Sequence, residues 1–156
     1  MIYLIVTIIL VLLDQATKLL ALTKLKPVGN ITVIPGFFDF TFVENRGAAF
    51  GILHRKRFFF IILTIIIVLV IIYEMKKMPV NKEYNKLRWA FTLIISGAIG
   101  NLIDRIIRGY VVDFFEFTFI DYPVFNVADI FVVIGALFMA FLVIFVIKEE
   151  KKEDKK

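Results

Sequence analysis

FNVADIFVVIGALFMAFLVIFVI, residues 125–147, decides the class of this protein. From residue 130 to residue 147 it runs for eighteen residues without a charge, an amide or a hydroxyl. A helix needs roughly 20 such residues to cross about 30 Å of hydrocarbon. Yet polar Asn126 and Asp129 stand at the mouth of the run, where water gives way to lipid. The chain of 156 residues is 60% hydrophobic, with a mean hydropathy of +0.88. A soluble domain averages about 45–50% apolar residues. The composition therefore points to an integral membrane protein with few spans and one compact unit.

Working outward, the apolar runs predict a mainly α fold of four transmembrane helices, at about 2–22, 58–75, 87–107 and 128–147. Helices satisfy every backbone group internally, as lipid requires. Asp14 and Lys18 interrupt the first run. A cleaved signal peptide is disfavoured there, because no basic residue precedes the run and no small-residue cleavage site follows it closely. In region 24–56, Phe38, Phe40 and Phe42 alternate with Asp39 and Thr41 after Pro35-Gly36. This period of two predicts a small surface β-sheet. A loop at 108–125 mixes aromatics with acids, and residues 148–156 form a charged tail. Four spans place both termini on one side, with ten lysines and arginines there against eight on the other. The positive-inside rule then favours cytoplasmic termini and an extracytoplasmic sheet.

The composition also excludes chemistry. There is no cysteine, so no disulfide, thiol nucleophile or cysteine-ligated metal. The single serine, Ser96, lies inside a span, and the single histidine is His54. No third group is evident to complete a serine–histidine site, and one histidine argues against catalytic zinc. No basic stripe interleaved with aromatics marks a nucleic-acid surface. The expectation is a protein without metal or cofactor whose chemistry, if hydrolytic, is carried by acids.

Charges at membrane depth cost roughly 2.5–3.5 kcal/mol each on insertion scales and so mark function by default. The simpler readings compete at each position. Asp14 and Lys18, like Asp104 and Arg108, are four apart and suit self-neutralising helical pairs. Ser96, Gly97 and Gly100 suit close helix packing. Asn101 could bond across helices or to a ligand, and the planar fork of Arg105 could hold a carboxylate or phosphate. Asn126 and Asp129 resemble a helix N-cap with an acid at its third position, where the dipole favours charge without any function. Asp113, in VVDFF, would have its pKa raised by burial. Brought together, Asp113 and Asp129 would share a proton as one acid and one base, able to activate water against a peptide bond.

Five segments in order resemble the lipoprotein signal peptidase (signal peptidase II) family: DQATK (14–18), NRGAAFG (45–51), GAIGNLIDR (97–105), VVDF (111–114) and FNVAD (125–129). Ser96 stands where a second glycine is common, a change confined to packing. The resemblance implies a bacterial inner-membrane aspartic endopeptidase. Its substrates are prolipoproteins bearing diacylglyceryl-cysteine, cut before the lipidated cysteine. It implies Asp113 and Asp129 as the catalytic pair, with Asp14, Lys18, Asn45, Gly47, Asn101, Asp104, Arg105 and Asn126 binding substrate or bracing the dyad. It further implies a monomer in contact with membrane lipid, inhibited by peptide antibiotics such as globomycin.

Two other classes compete. A proton relay or transporter could use Asp14, Asp104, Asp113 and Asp129 as a pathway, though no internal repeat or pair of broken helices supports it. A structural subunit would have every acid capped or paired. An intramembrane protease of the GxGD type lacks its motif here.

Overall fold

The computed structural model describes residues 1–47 and 56–146. His54 and the tail expected at 148–156 lie outside the described residues. Among those described, four helices are long and apolar enough to cross a membrane. They are α1 (Ile2–Leu20), α2 (Arg57–Lys77), α3 (Lys82–Ile107) and α4 (Val127–Phe141). α1 continues through a wider π-type turn at Ala21–Leu25, and α4 through another at Leu142–Val146.

α3 is the axis of the bundle and touches each of the other helices. Small residues let its neighbours close in. A methyl group at Gly97 would collide with the Ala128 carbonyl, and one at Gly100 with the Asp14 carboxylate. This is the close packing read from Ser96, Gly97 and Gly100; the Ser96 hydroxyl donates to the Thr92 carbonyl at 2.6 Å within the helix. α2, by contrast, has no buried residue, as befits a helix apolar on every side and solvated by lipid.

α3 begins at Lys82, ahead of the start expected near residue 87. Its first turn, KEYNK, is too charged to register as a span. The Asn81 side chain caps it, accepting from the Tyr84 N–H at 2.9 Å. Arg88 then ties down the preceding connection through the Met78 carbonyl at 2.8 Å and the Pro79 carbonyl at 3.2 Å.

The sheet has three antiparallel strands in the order β1 (Asn30–Ile34), β2 (Phe38–Asn45), β3 (Val111–Phe117). Pro35 and Gly36 make the turn between the first two. Phe37 N–H donates to the Ile34 carbonyl at 3.0 Å, and Gly36 takes φ +71°, the type II pattern that favours glycine after proline. β3 lies inside the segment read from sequence as the loop 108–125. The sheet therefore draws one strand from outside region 24–56. Adjacent Phe114 and Phe115 break the alternation of β3, and pairing with β2 makes the strand: Phe38 faces Phe117 and Phe40 faces Phe115. The sheet rests on the end of α1, where Ala21, Leu25, Val112 and Phe114 form a buried core.

Candidate active site

The site lies where the sheet meets the ends of α3 and α4. Val111, Val112, Asp113 and Phe114 are all buried, although they stand on a strand. Two bonds made by buried acids hold the backbone here. Asp14 on α1 accepts from the Ala128 N–H at 2.9 Å, so it caps the helix that carries Asp129. Asp104 on α3 accepts from the Val112 N–H at 2.9 Å, next to Asp113.

Lys18 sits between these two acids, 3.0 Å from Asp14 and 3.4 Å from Asp104, with all three side chains fully buried. Arg108 closes on Asp104 from the other side. The pairs expected at both spacings exist, joined into one network. Gln15, which the sequence reading passed over, stitches it together. Its amide donates to Asp14 at 3.1 Å, to the Gly100 carbonyl at 3.1 Å and to Asp104 at 3.3 Å. Its oxygen accepts from Arg108 at 3.2 Å. Two signals pointed to it: position fifteen flanks a charge on a helix, and it lies inside the DQATK segment that carries the family resemblance.

Lys18 reaches further and donates to the Asn101 Oδ1 at 2.7 Å. This fixes the Asn101 amide, whose Nδ2 donates to Asp129 Oδ1 at 2.8 Å. Asn126 caps α4 as its sequence predicts, with a reciprocal box. Asp129 N–H donates to Asn126 Oδ1 at 3.0 Å, and Asn126 N–H donates to Asp129 Oδ2 at 3.1 Å. The spare Nδ2 of Asn126 then donates to Asp113 Oδ1 at 2.6 Å. Asn45 Nδ2 donates to Asp113 Oδ2 at 2.9 Å. Asn126 thus stands between the two aspartates and bonds to both.

Asp113 and Asp129 line one cavity of about 340 Å³ with Asn45, Asn101, Arg105 and Tyr122. Burial pushes the Asp113 carboxyl up to about 7, and the Asp129 charge adds to the rise. Arg105 donates weakly to the Gly47 carbonyl at 3.4 Å and lies over the Phe60 ring. Gly47 is held in turn, its N–H donating to Asn45 Oδ1 at 3.0 Å. Every site residue expected from the sequence therefore falls in one connected cluster. Beside it, an apolar groove of about 450 Å³ runs from Tyr122, Phe125 and Asp129 to Ile130, Val133 and Ile134. Among the described residues, no group of acids and histidines is arranged to hold a metal.

A buried and a half-buried carboxylate sharing a cavity at the end of membrane-length helices point to a class, that of integral-membrane aspartic hydrolases. The family model described as signal peptidase (SPase) II matches residues 6–145. The chain belongs to this family of membrane aspartic peptidases, and its activity is that of a lipoprotein signal peptidase. It is 50% identical over 135 residues to a lipoprotein signal peptidase of Caldanaerobacter subterraneus subsp. tengcongensis, covering 86% of this chain and 90% of that one. A lipoprotein signal peptidase of Clostridium acetobutylicum is 44% identical over 149 residues, covering 93% of this chain and 94% of that one. The fold is similar to a solved structure described as a bacterial membrane enzyme. The TM-score is 0.83 at 35% identity, covering 99% of this chain and 91% of that one.

Proposed function

We propose that Asp113 and Asp129 are the catalytic dyad, acting on diacylglyceryl-modified prolipoproteins before the lipidated cysteine. The carrying observation is that Asn126 joins the two carboxylates at one cavity, its side chain donating to Asp113 and its backbone N–H to Asp129, with Asp129 also held by Asn101 and Asp113 by Asn45. Charge balance supports a dyad with one proton. Lys18 and Arg108 offset Asp14 and Asp104. Arg105 then remains beside Asp113 and Asp129, and a singly protonated dyad matches its charge at a depth where excess charge is costly.

The reaction follows from that state. The ionised aspartate takes a proton from water while the oxygen attacks the scissile carbonyl carbon. The protonated aspartate gives its proton to the carbonyl oxygen. The tetrahedral gem-diol collapses as one aspartate gives its proton to the leaving nitrogen and the other takes a proton from one of the two hydroxyls, whose oxygen becomes the new carbonyl. The C–N bond breaks to a carboxyl and an amine, and the dyad again holds one proton. The two groups titrate as a coupled pair. Arg105, Asn45 and Gly47 orient the peptide, and Asp14, Lys18, Asn101, Asp104 and Asn126 brace the dyad.

The termini face the cytoplasm in this reading, and the sheet and cavity face outward at the cytoplasmic membrane of a bacterium. The enzyme acts as a monomer. Acyl chains stay in the bilayer while the apolar groove beside Asp129 takes apolar residues next to the cut. The test is cleavage of a diacylglyceryl-modified prolipoprotein by purified protein in detergent. Wild type is expected to cleave and to stop with globomycin, while folded Asp113→Asn and Asp129→Asn do not cleave. Cleavage by either folded variant at the wild-type rate rejects the dyad. Substrate-dependent ion flux that survives globomycin favours the transport reading.

A further inference from the structure

A second groove lies away from the peptidase cavity, between the sheet-bearing end of α1 and the face of the sheet. We propose that it binds one anionic phospholipid of the membrane, with an acyl chain in the groove and the phosphate on Lys24. The groove encloses about 340 Å³, walled by Thr17, Leu20, Leu25, Ile31, Phe40 and Phe115, and none of its lining residues lines the cavity of Asp113 and Asp129. Its volume is in the range of small-molecule sites, roughly 300–1,000 Å³.

Its position suits a lipid. α1 carries its membrane span to Leu25, so the groove lies where hydrocarbon meets headgroups. Its lipid-side rim is open, with Leu20 60% and Ile31 45% exposed. The polar groups available are few. The Thr17 hydroxyl is taken, donating to the Asp14 carbonyl at 2.7 Å. Nearby Lys26 is taken too, paired with Glu44 at 2.9 Å. Lys24 is the one charged residue of the lining, and among the described residues no carboxylate pairs with it. An apolar slot with a single cation at its mouth complements an acyl chain ending in a phosphate. The substrate's own acyl chains are a poorer fit, because they are tied to a bond cut in the other cavity. The proposal stands apart from the dyad chemistry, and its test does not read cleavage.

The experiment places a reporter in the groove by Leu20→Trp and reconstitutes the full chain in phosphatidylcholine vesicles. Brominated phosphatidylglycerol or brominated phosphatidylcholine is then titrated in. The native Trp89, stacked edge-on to Tyr3 on α1, is read in the chain with Leu20 intact and supplies the background from general lipid contact. The expected result is half-quenching of the reporter at a roughly fivefold lower fraction of the anionic lipid, the size expected of one lysine at a membrane surface. Lys24→Gln should remove that preference, while Lys24→Arg and Lys26→Gln keep it. Equal quenching by the two lipids overturns the proposal, as does a preference that survives Lys24→Gln. Loss of the preference on adding excess diacylglyceryl-modified prolipoprotein also overturns it, because the groove would then be a substrate site.

Discussion

Two pairs of carboxylates, all buried except the half-buried Asp129, lie side by side in this molecule and are treated in opposite ways. Asp14 and Asp104 are bonded to cations: Lys18 lies between them and Arg108 closes on Asp104. Asp113 and Asp129 are bonded to neutral donors, namely the side chains of Asn45, Asn101 and Asn126 and one backbone N–H. A carboxylate locked to a cation is held in place by its partner's charge. One held only by amides remains free to gain and lose a proton. On the proposed reading the first cluster therefore builds and the second reacts. They are coupled in space, since Asp14 holds the helix of Asp129 and Asp104 holds the strand of Asp113.

The comparison predicts different failures in the two clusters. Asp113→Asn and Asp129→Asn should lower kcat by roughly a thousandfold or more, within the range removed with a general acid or base, and should leave the fold intact. Steady-state cleavage beside a melting curve checks both. Equal loss of activity and of fold would erase the distinction between the clusters.

Lys18→Met should do the reverse. It leaves Asp14 and Asp104 buried with Arg108 alone, and breaking a buried ion pair by removing one partner costs about 3–5 kcal/mol. Unfolding of the detergent-solubilised protein should show a loss of that order, and activity should fall with the folded fraction. A folded, stable and merely slow Lys18→Met would move Lys18 from bracing to chemistry.

The third prediction concerns pH. The folded-state value of Asp113 is raised to about 7, against about 4 for an unfolded aspartate. The folded chain thus binds this proton more tightly than the unfolded chain, and stability falls as pH rises between those values. Asp113→Asn removes the effect, so its melting temperature should gain on wild type from pH 5 to pH 8, limits that bracket the upper value. Cleavage should decline as pH rises through about 7, where the dyad loses its proton. A flat difference in melting temperature would place Asp113 in the locked class.

Much of this contrast was legible in the sequence. Charge inside apolar runs drew attention to Asp14, Lys18, Asp104 and Asp129, and helical spacing gave the partners of the locked cluster. The capping box of Asn126 and Asp129 is a local pattern and was readable as such. The meeting of Asp113 with Asp129 was not. It depends on β3 pairing with β2 and on Asn126 using its spare donor across the gap; the residue pattern raised the pair as an option, and the family resemblance selected it. β3 itself went unread because Phe114 beside Phe115 breaks the period of two. The first turn of α3 went unread because hydropathy ignores a capping asparagine such as Asn81. Gln15 carries no charge, and three of its four hydrogen bonds arise only when α1 and α3 pack.

The smallest effect sharpens the comparison most, because it alters how one reactive carboxylate is held without removing it. Asn45→Ala deletes the donor to Asp113 Oδ2. That donor favours the charged form and opposes the burial effect, so its loss should raise the Asp113 value further. The alkaline limb of the pH–rate profile should then move to higher pH, with kcat on the plateau reduced by roughly tenfold or less. A purely structural Asn45 would lower the whole profile without moving it. The same shift should be absent in Gln15→Ala, whose bonds go to the locked cluster. If Asn45→Ala and Gln15→Ala move the limb equally, the two clusters titrate as one system, and the division between building and reacting carboxylates fails.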